Sequence, residues 1–272
     1  MQVSNVDKEK ESRYTLEMMT VHSDMIRILF ESLKDVLTDV NFVFDSKGLK
    51  IVQIDGSRVA YVHMKLEADK IRLDGHYYCP NKITVGVNML NIFKLVKTVT
   101  KDDTINFFIE KDNLNELCIK IDNAHKNSVS CFKLQMLDVD VEDLTLPSVE
   151  FNTIITMPSQ DFQKYCRDMS NLSDILDIKS IDSQLILSCK GDFATQKVII
   201  GESNGNTEIE NTNKEDIIQG CFSLRFLNMF TKATNLCSSI KMYIRNDFPL
   251  ILEYSVANLG SIKFALSPKE ST

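Results

Sequence analysis

Two kinds of hydrophobic periodicity alternate along the chain, and they arrive twice in the same order. Over Tyr14–Val21 apolar and polar residues alternate, a period of two that predicts a strand with one buried face. Directly afterwards Ile26, Leu29, Phe30 and Leu33 fall at helical spacing, so an amphipathic helix follows. The same succession recurs with Phe151–Met157 and then Phe162, Tyr165, Cys166 and Met169. Ser23 and Ser159 stand where helix N-caps are expected, with Asp24 and Asp161 near the positive end of each helix dipole. Further strands are predicted over Phe42–Phe44, Lys50–Ile54 and Val59–Leu66. A second helix is predicted over Asn88–Thr98 in the first half and Ser223–Ala233 in the second. Alternation then marks Thr104–Glu110, Leu117–Ile121 and Val129–Gln135, and later Ser239–Ile244, Leu250–Val256 and Ser261–Leu266. Few helices among many short antiparallel strands define an α+β fold.

The recurrence is also visible residue by residue. With Tyr14 placed on Phe151, an offset of 137, Asp24 meets Asp161 and Arg27 meets Lys164. At the same offset Leu90-Asn91-Ile92-Phe93 meets Leu227-Asn228-Met229-Phe230, which points to an internal duplication. The expected organisation is a polar N-terminal extension over 1–13, one domain over 14–135, a connector over 136–150 and a second domain over 151–272. The connector is acidic, lacks a helical period and reads as extended.

Composition narrows the class. The chain has 272 residues, 43% hydrophobic and 25% charged, enough for two modest domains. No apolar run is long enough for a membrane helix, so no membrane partner is expected. Met1–Arg13 has no apolar stretch and is not read as a secretory signal. The seven cysteines are scattered without a CxxC pair, which fits reduced thiols in an intracellular protein.

With 31 basic against 38 acidic residues the net charge is −7, which by itself argues against binding nucleic acid. The placement of the bases changes that picture. Arg27 and Lys34 lie seven apart on the first helix, Lys94 and Lys97 three apart on the second. Lys164 and Arg167 lie three apart on the third, and Arg225 and Lys232 seven apart on the fourth. For any one helix this is an ordinary solvated face, and Asp24, Glu31, Asp161 and Asp168 accompany the bases on two of them. Four such faces in a duplicated frame could instead make a local positive field suited to gripping phosphates without reading sequence. No aromatic stripe is interleaved with the bases, so stacking on single strands is not expected.

An enzyme finds little support. His22, His63, His76 and His125 lie far apart with no ligand spacing, and no GxxxxGK loop is present. Asp138, Asp140, Glu142 and Asp143 lack the glycine and spacing of a calcium loop. Gly201 and Gly205 read as a turn. No metal, no cofactor and no catalytic residue is expected.

Five stretches in order carry a resemblance to a known family: FDSKGLKIVQIDGSRVAYV (44–62), LDVDVEDLTLP (137–147), MPSQDFQKYCRDMS (157–170), LRFLNMFTKAT (224–234) and NDFPLILEYSVANLGSIKFALSPK (246–269). From about Tyr14 to Lys269 the chain resembles proliferating cell nuclear antigen, the DNA sliding clamp of eukaryotes and some of their large viruses. The resemblance implies two similar domains per subunit and a homotrimeric ring, with helices lining a central hole and sheets forming the outer wall. It implies double-stranded DNA, a DNA polymerase, a clamp loader and other peptide-bearing proteins as partners, and a nuclear or viral replication compartment.

The eight bases named above then fall on or near hole-lining positions, and Asn171 stands where the family often has histidine. The implied partner-peptide pocket comprises Ile54, Arg58, Val59, Tyr61, Leu144, Leu146, Pro147, Pro249, Ala265, Leu266, Ser267 and Pro268. Arg58 replaces a common histidine there and Ala265 a large aromatic residue, so a wider pocket with a different preferred motif is expected. Ring closure is implied between strands over Val129–Gln135 and Ala194–Ile200, with Phe132 and Val198 as contacts. The family's modified lysine has no match, since Ile181 and Asp182 occupy that region. A checkpoint-type clamp subunit and a viral clamp of lower oligomeric state are the nearest alternatives.

Overall fold

A computed structural model describes residues 13–140, 149–181, 183–202, 206–211 and 217–269. The first repeat runs β1 (Tyr14–Thr20), α1 (Ser23–Leu33), β2 (Asp39–Asp45), β3 (Gly48–Ile54), β4 (Ala60–Glu67), a one-turn α2 (Ala68–Ile71), β5 (Gly75–Tyr78) and β6 (Ile83–Asn88). It continues with α3 (Met89–Val96), β7 (Asp103–Glu110), β8 (Asn113–Asn123) and β9 (Ser128–Gln135). The second runs β10 (Thr153–Pro158), α4 (Ser159–Ser170), β11 (Ile175–Ile181), β12 (Gln184–Lys190), β13 (Thr195–Gly201), β14 (Glu208–Asn211) and β15 (Ile218–Ser223). It ends with α5 (Leu224–Phe230), a 3-10 turn (Thr231–Leu236), β16 (Ser239–Ile244), β17 (Leu250–Val256) and β18 (Gly260–Leu266).

Strand order repeats as the elements do. The first repeat pairs its strands as β5-β1-β7-β8-β9 and β6-β2-β3-β4, the second as β14-β10-β16-β17-β18 and β15-β11-β12-β13. The registered pairs are antiparallel throughout. Two compact units result. One holds the described residues within Met1–Gln53, His63–Asp143 and Val256–Ser261, the other those within Ile54–Val62, Leu144–Ser255 and Ile262–Thr272. Each unit therefore includes a hairpin tip that belongs in sequence to the other half.

The duplication has no single offset. Buried Leu16, Met18 and Thr20 of β1 correspond to buried Thr153, Ile155 and Met157 of β10 at 137. On the first helices Ile26, Phe30 and Leu33 correspond to Phe162, Cys166 and Met169 at 136. On the second helices Met89 and Ile92 correspond to Leu224 and Leu227 at 135. The constant 137 expected from sequence is thus corrected. It holds for the first strands, but the link from β10 to α4 is one residue shorter than that from β1 to α1.

The expected serine caps are also corrected. The N-cap positions are His22 and Pro158, and neither side chain caps its helix. Ser23 and Ser159 lie in the first turn, both fully buried. Ser23 Oγ sits 2.7 Å from the carbonyl oxygens of Thr100 and Asp103. Ser159 Oγ sits 2.7 Å from the Cys237 carbonyl oxygen and 3.2 Å from those of Thr234 and Ser238. In both repeats one hydroxyl ties the start of a helix to the loop that leads into the next sheet strand.

An aromatic cluster sits within the largely aliphatic core of each unit. In the first unit Phe30 packs 5.6 Å from Phe42 and 6.0 Å from Phe107 between ring centroids. In the second, Phe230 stacks on Phe264 at 4.6 Å, and Tyr254 meets Phe264 edge-on at 6.1 Å. Phe151, expected to open β10, instead packs on Tyr243 and Phe248 just ahead of it. Of the N-terminal extension, Arg13 is described and pairs with Glu110 at 2.9 Å.

Asp55 holds the tip between β3 and β4. Its Oδ1 accepts from the Val59 and Ala60 amides at 2.8 and 2.6 Å, and its Oδ2 from the Ser57 amide at 2.9 Å and the Ser57 hydroxyl. Burial works to raise its pKa, but the hydrogen bonds from Ser57, Ala60 and Val59 outweigh it and hold the carboxyl below its ordinary value near 3.8. A depressed folded-state value contributes stability above the unfolded pKa and loses it as pH falls through the folded one. Asp55→Asn should therefore cost about 1–3 kcal/mol at neutral pH in urea denaturation. The variant should also lose less stability than the parent between about pH 5 and 3; an unchanged acid limb would contradict this account. Ser23→Ala and Ser159→Ala should each cost about 1 kcal/mol. Because the two serines share no partner, the double variant should show the sum.

Candidate DNA-facing helices and partner surfaces

In the first unit α1 buries Ile26, Leu29, Phe30 and Leu33, and α3 buries Met89, Ile92 and Val96. Asn88 caps α3 by accepting the Asn91 amide at 3.1 Å. With those stripes turned inward, Lys94 and Lys97 fall on the outward sides, while Arg27 and Lys34 are half-buried at their margin. Lys34 ends α1 as its C-cap and places its ammonium 5.3 Å from the Phe93 ring, a contact between the two helices. Lys34 also pairs with Asp35 at 2.9 Å, and Arg27 with Glu31 at 3.3 Å. Lys94 and Lys97 are exposed and have no ion pair among the described residues.

The second unit repeats the arrangement. α4 buries Phe162, Cys166 and Met169, α5 buries Leu224, Leu227 and Phe230, and Gln163 Nε2 donates to the Thr231 carbonyl at 2.8 Å. Lys164 and Arg167 are exposed on α4 without an ion pair among the described residues. Arg225 is exposed on α5, its guanidinium 5.9 Å from the Phe226 ring. One expectation is corrected here: α5 ends at Phe230, and exposed Lys232 lies in the 3-10 turn, so the helix does not reach Ala233.

Each unit thus brings four bases onto one paired-helix surface, against Asp24, Glu31 and Asp35 in the first and Asp161 and Asp168 in the second. Such surfaces can hold phosphates as point charges.

The proposed peptide-pocket residues divide. Ile54, Val59, Tyr61 and Pro249 are half-buried, while Arg58, Ser267 and Pro268 are exposed. The Ser267 amide donates to the Val59 carbonyl at 3.0 Å, so the structure does bring the hairpin tip and the tail segment together. Arg58 adopts a positive φ of 59°, set by the Asp55 turn. Burial raises the Tyr61 pKa, keeping its phenol neutral. Ala265 and Leu266 are only 3% and 0% exposed and belong to the core of their unit, not to its open surface. Leu144, Leu146 and Pro147 lie outside the described residues.

The connector is described up to Asp140. The Leu137 amide donates to the Gly86 carbonyl at 2.8 Å, and Asn41 Nδ2 donates to the Val139 carbonyl at 2.9 Å. A Cβ on Gly86 would come within 2.1 Å of the Leu137 carbonyl oxygen, so only glycine admits this approach. Phe132 lies on β9 and Val198 on β13, each half-buried on the outermost strand of its sheet. Val129 and Ile199 on the same two strands are each 55% exposed.

Among the described residues no three His, Cys, Asp or Glu side chains gather to hold a metal ion. Glu142, Asp143, Asp182 and Gly205 lie outside the described residues. Sequence reasoning missed a concavity of about 840 Å3 over β11, β12, β13 and β15 that includes Lys179, Lys197 and Lys269. The only signal for it is the alternation of polar residues along those strands.

Residues 15–143 match the family described as proliferating cell nuclear antigen, N-terminal domain, and residues 145–269 its C-terminal domain. The chain is 36% identical over 253 residues to "Probable DNA polymerase sliding clamp 1" of Paramecium bursaria Chlorella virus 1, covering 92% of this chain and 95% of that protein. These matches span both repeats, both helix pairs and the strands that carry them. The chain belongs to the proliferating cell nuclear antigen family and is a DNA sliding clamp of α+β fold.

Proposed function

We propose that three copies of this chain close into a ring around duplex DNA and hold a DNA polymerase on its template. The observation that carries this reading is the paired-helix surface found in each repeat, with exposed bases in an otherwise acidic protein. Arg27, Lys34, Lys94, Lys97, Lys164, Arg167, Arg225 and Lys232 face the DNA backbone and contact it without base specificity. Like its family, the protein works as a processivity factor and carries out no chemistry of its own.

Closure uses the unpaired backbone of β9 on one subunit and β13 on the next, with Phe132 and Val198 packed across the seam. Residues 1–13 precede the first clamp domain (14–135), and 136–150 join it to the second (151–272). A partner peptide from the polymerase, the clamp loader or another replication or repair protein docks against Ile54, Arg58, Val59, Tyr61 and Pro249. Leu144, Leu146, Pro147, Ser267 and Pro268 complete that surface, with Ala265 and Leu266 beneath it. The site of action is the nucleus or a viral replication compartment.

Sedimentation equilibrium at micromolar concentration should give about 93 kDa, three times the 31.0 kDa chain. A species persisting at the single-chain mass would rule out the ring. Val198→Asp should shift the population to the single-chain mass by placing a charge in the seam. Combined Lys94→Glu, Arg167→Glu and Lys232→Glu should abolish stimulation of a polymerase on primed circular DNA while leaving the trimer mass unchanged. Survival of stimulation in that variant would remove these helices from the DNA path.

A further inference from the structure

One opening in the first unit is used neither by the helix surfaces nor by the proposed peptide pocket. β5 pairs with β1 only from Tyr78 opposite Glu17 to Gly75 opposite Thr20. Pro80 follows two residues later and has no amide proton to offer, which suits the ladder's ending there. Tyr14, Thr15 and Leu16 are consequently flanked by β7 on one side and, among the described residues, by no paired strand on the other. The register with β7 shifts between Tyr14 and Leu16, and a strand with such an irregularity leaves part of its backbone outside the ladder, so this stretch has hydrogen-bonding groups to offer a further strand.

The gap is a pocket of about 450 Å3. Tyr14, Tyr78, Pro80, Ile83, Ile109 and Leu114 give it apolar walls, and Leu114 is 59% exposed. Lys82 and Lys111 also line it, and no lining residue is acidic. Both lysines are exposed and neither has an ion pair among the described residues. Glu110, next in sequence to Lys111, is taken by Arg13. An apolar cleft flanked by two unpartnered ammonium groups and an unpaired strand edge calls for a ligand that is extended, partly apolar and negatively charged.

We propose that this pocket docks an extended acidic segment of a partner protein, which adds a short strand beside Tyr14–Leu16. An apolar side chain of that segment enters between Tyr14 and Tyr78, and its carboxylates pair with Lys82 and Lys111. The site shares no residue with the DNA-facing helices or with the surface around Val59 and Ser267, so it would let a clamp hold a second protein.

The test uses the full chain with two labelled octapeptides, one alternating valine with glutamate and one alternating valine with lysine. Fluorescence anisotropy should show saturable binding of the glutamate peptide and at least tenfold weaker binding of the lysine peptide. Amide shifts in NMR spectra should concentrate at Tyr14–Leu16, Tyr78–Ile83 and Ile109–Leu114. Lys82→Glu with Lys111→Glu should weaken the glutamate peptide at least tenfold and leave polymerase stimulation unchanged, so this proposal and the clamp reading fail separately. The proposal is overturned by absent binding, by equal binding of the two peptides, or by shifts centred on β9 or β13. Binding that emerges only after removal of residues 1–12 would assign the pocket to the chain's own first segment and overturn it equally.

Discussion

The rest of this structure depends on each long helix burying one apolar stripe against an antiparallel sheet. A fully buried leucine, isoleucine or phenylalanine contributes about 1.5–3 kcal/mol, and α1 alone buries Ile26, Leu29, Phe30 and Leu33. That burial fixes the rotation of the helix about its own axis. Once that rotation is fixed, the residues one or two positions away from the stripe are turned off the core and toward solvent. Lys94 and Lys97, and Lys164 and Arg167, become a surface because Ile92 and Val96, and Phe162 and Cys166, are core. The charge pattern thus follows from the packing rather than competing with it.

Where one periodicity governs a stretch, the sequence is a good guide to the structure. The alternation of β7, whose buried residues are Asp103, Ile105, Phe107 and Ile109, appears as read, and so does the stripe of α4 except for Tyr165, which is half-buried. The guide fails where a distant partner decides. A serine at the start of a helix looks like a cap, but Ser23 meets carbonyls 77 and 80 residues away, and no local pattern encodes that loop. β6 buries Val85, Gly86 and Val87 in succession because Leu137 pairs along its outer edge, so its alternation is lost. β18 likewise buries Phe264, Ala265 and Leu266 consecutively, and spacing could not tell pocket from core there. Lys232 is the intermediate case, with its exposure read from helical spacing although the backbone has tightened to a 3-10 turn.

Polar groups inside the fold act chiefly as fasteners. Asp55, Ser23 and Ser159 each gather backbone groups from a turn or loop that no ladder satisfies. Asp103 does the same, accepting from the Thr100 amide and hydroxyl and from Asn123, and its carboxyl is held below the ordinary range by those bonds despite burial working the other way. These groups are placed at the ends of elements, where orphan amides and carbonyls are most numerous. Among the described residues the outermost strands β9 and β13 have no paired strand on their open sides.

The drifting offset between the repeats has a historical meaning. Within a strand or a helix, losing one residue would rotate every later side chain off its face, so such events are removed. Between elements the same loss costs little. The two copies have accordingly slipped at the joints around their helices, stepping from 137 to 136 to 135 while their buried faces kept phase. Lineage comparisons that slide one half over the other at a fixed spacing will underestimate the kinship of these halves. Aligning them joint by joint recovers it.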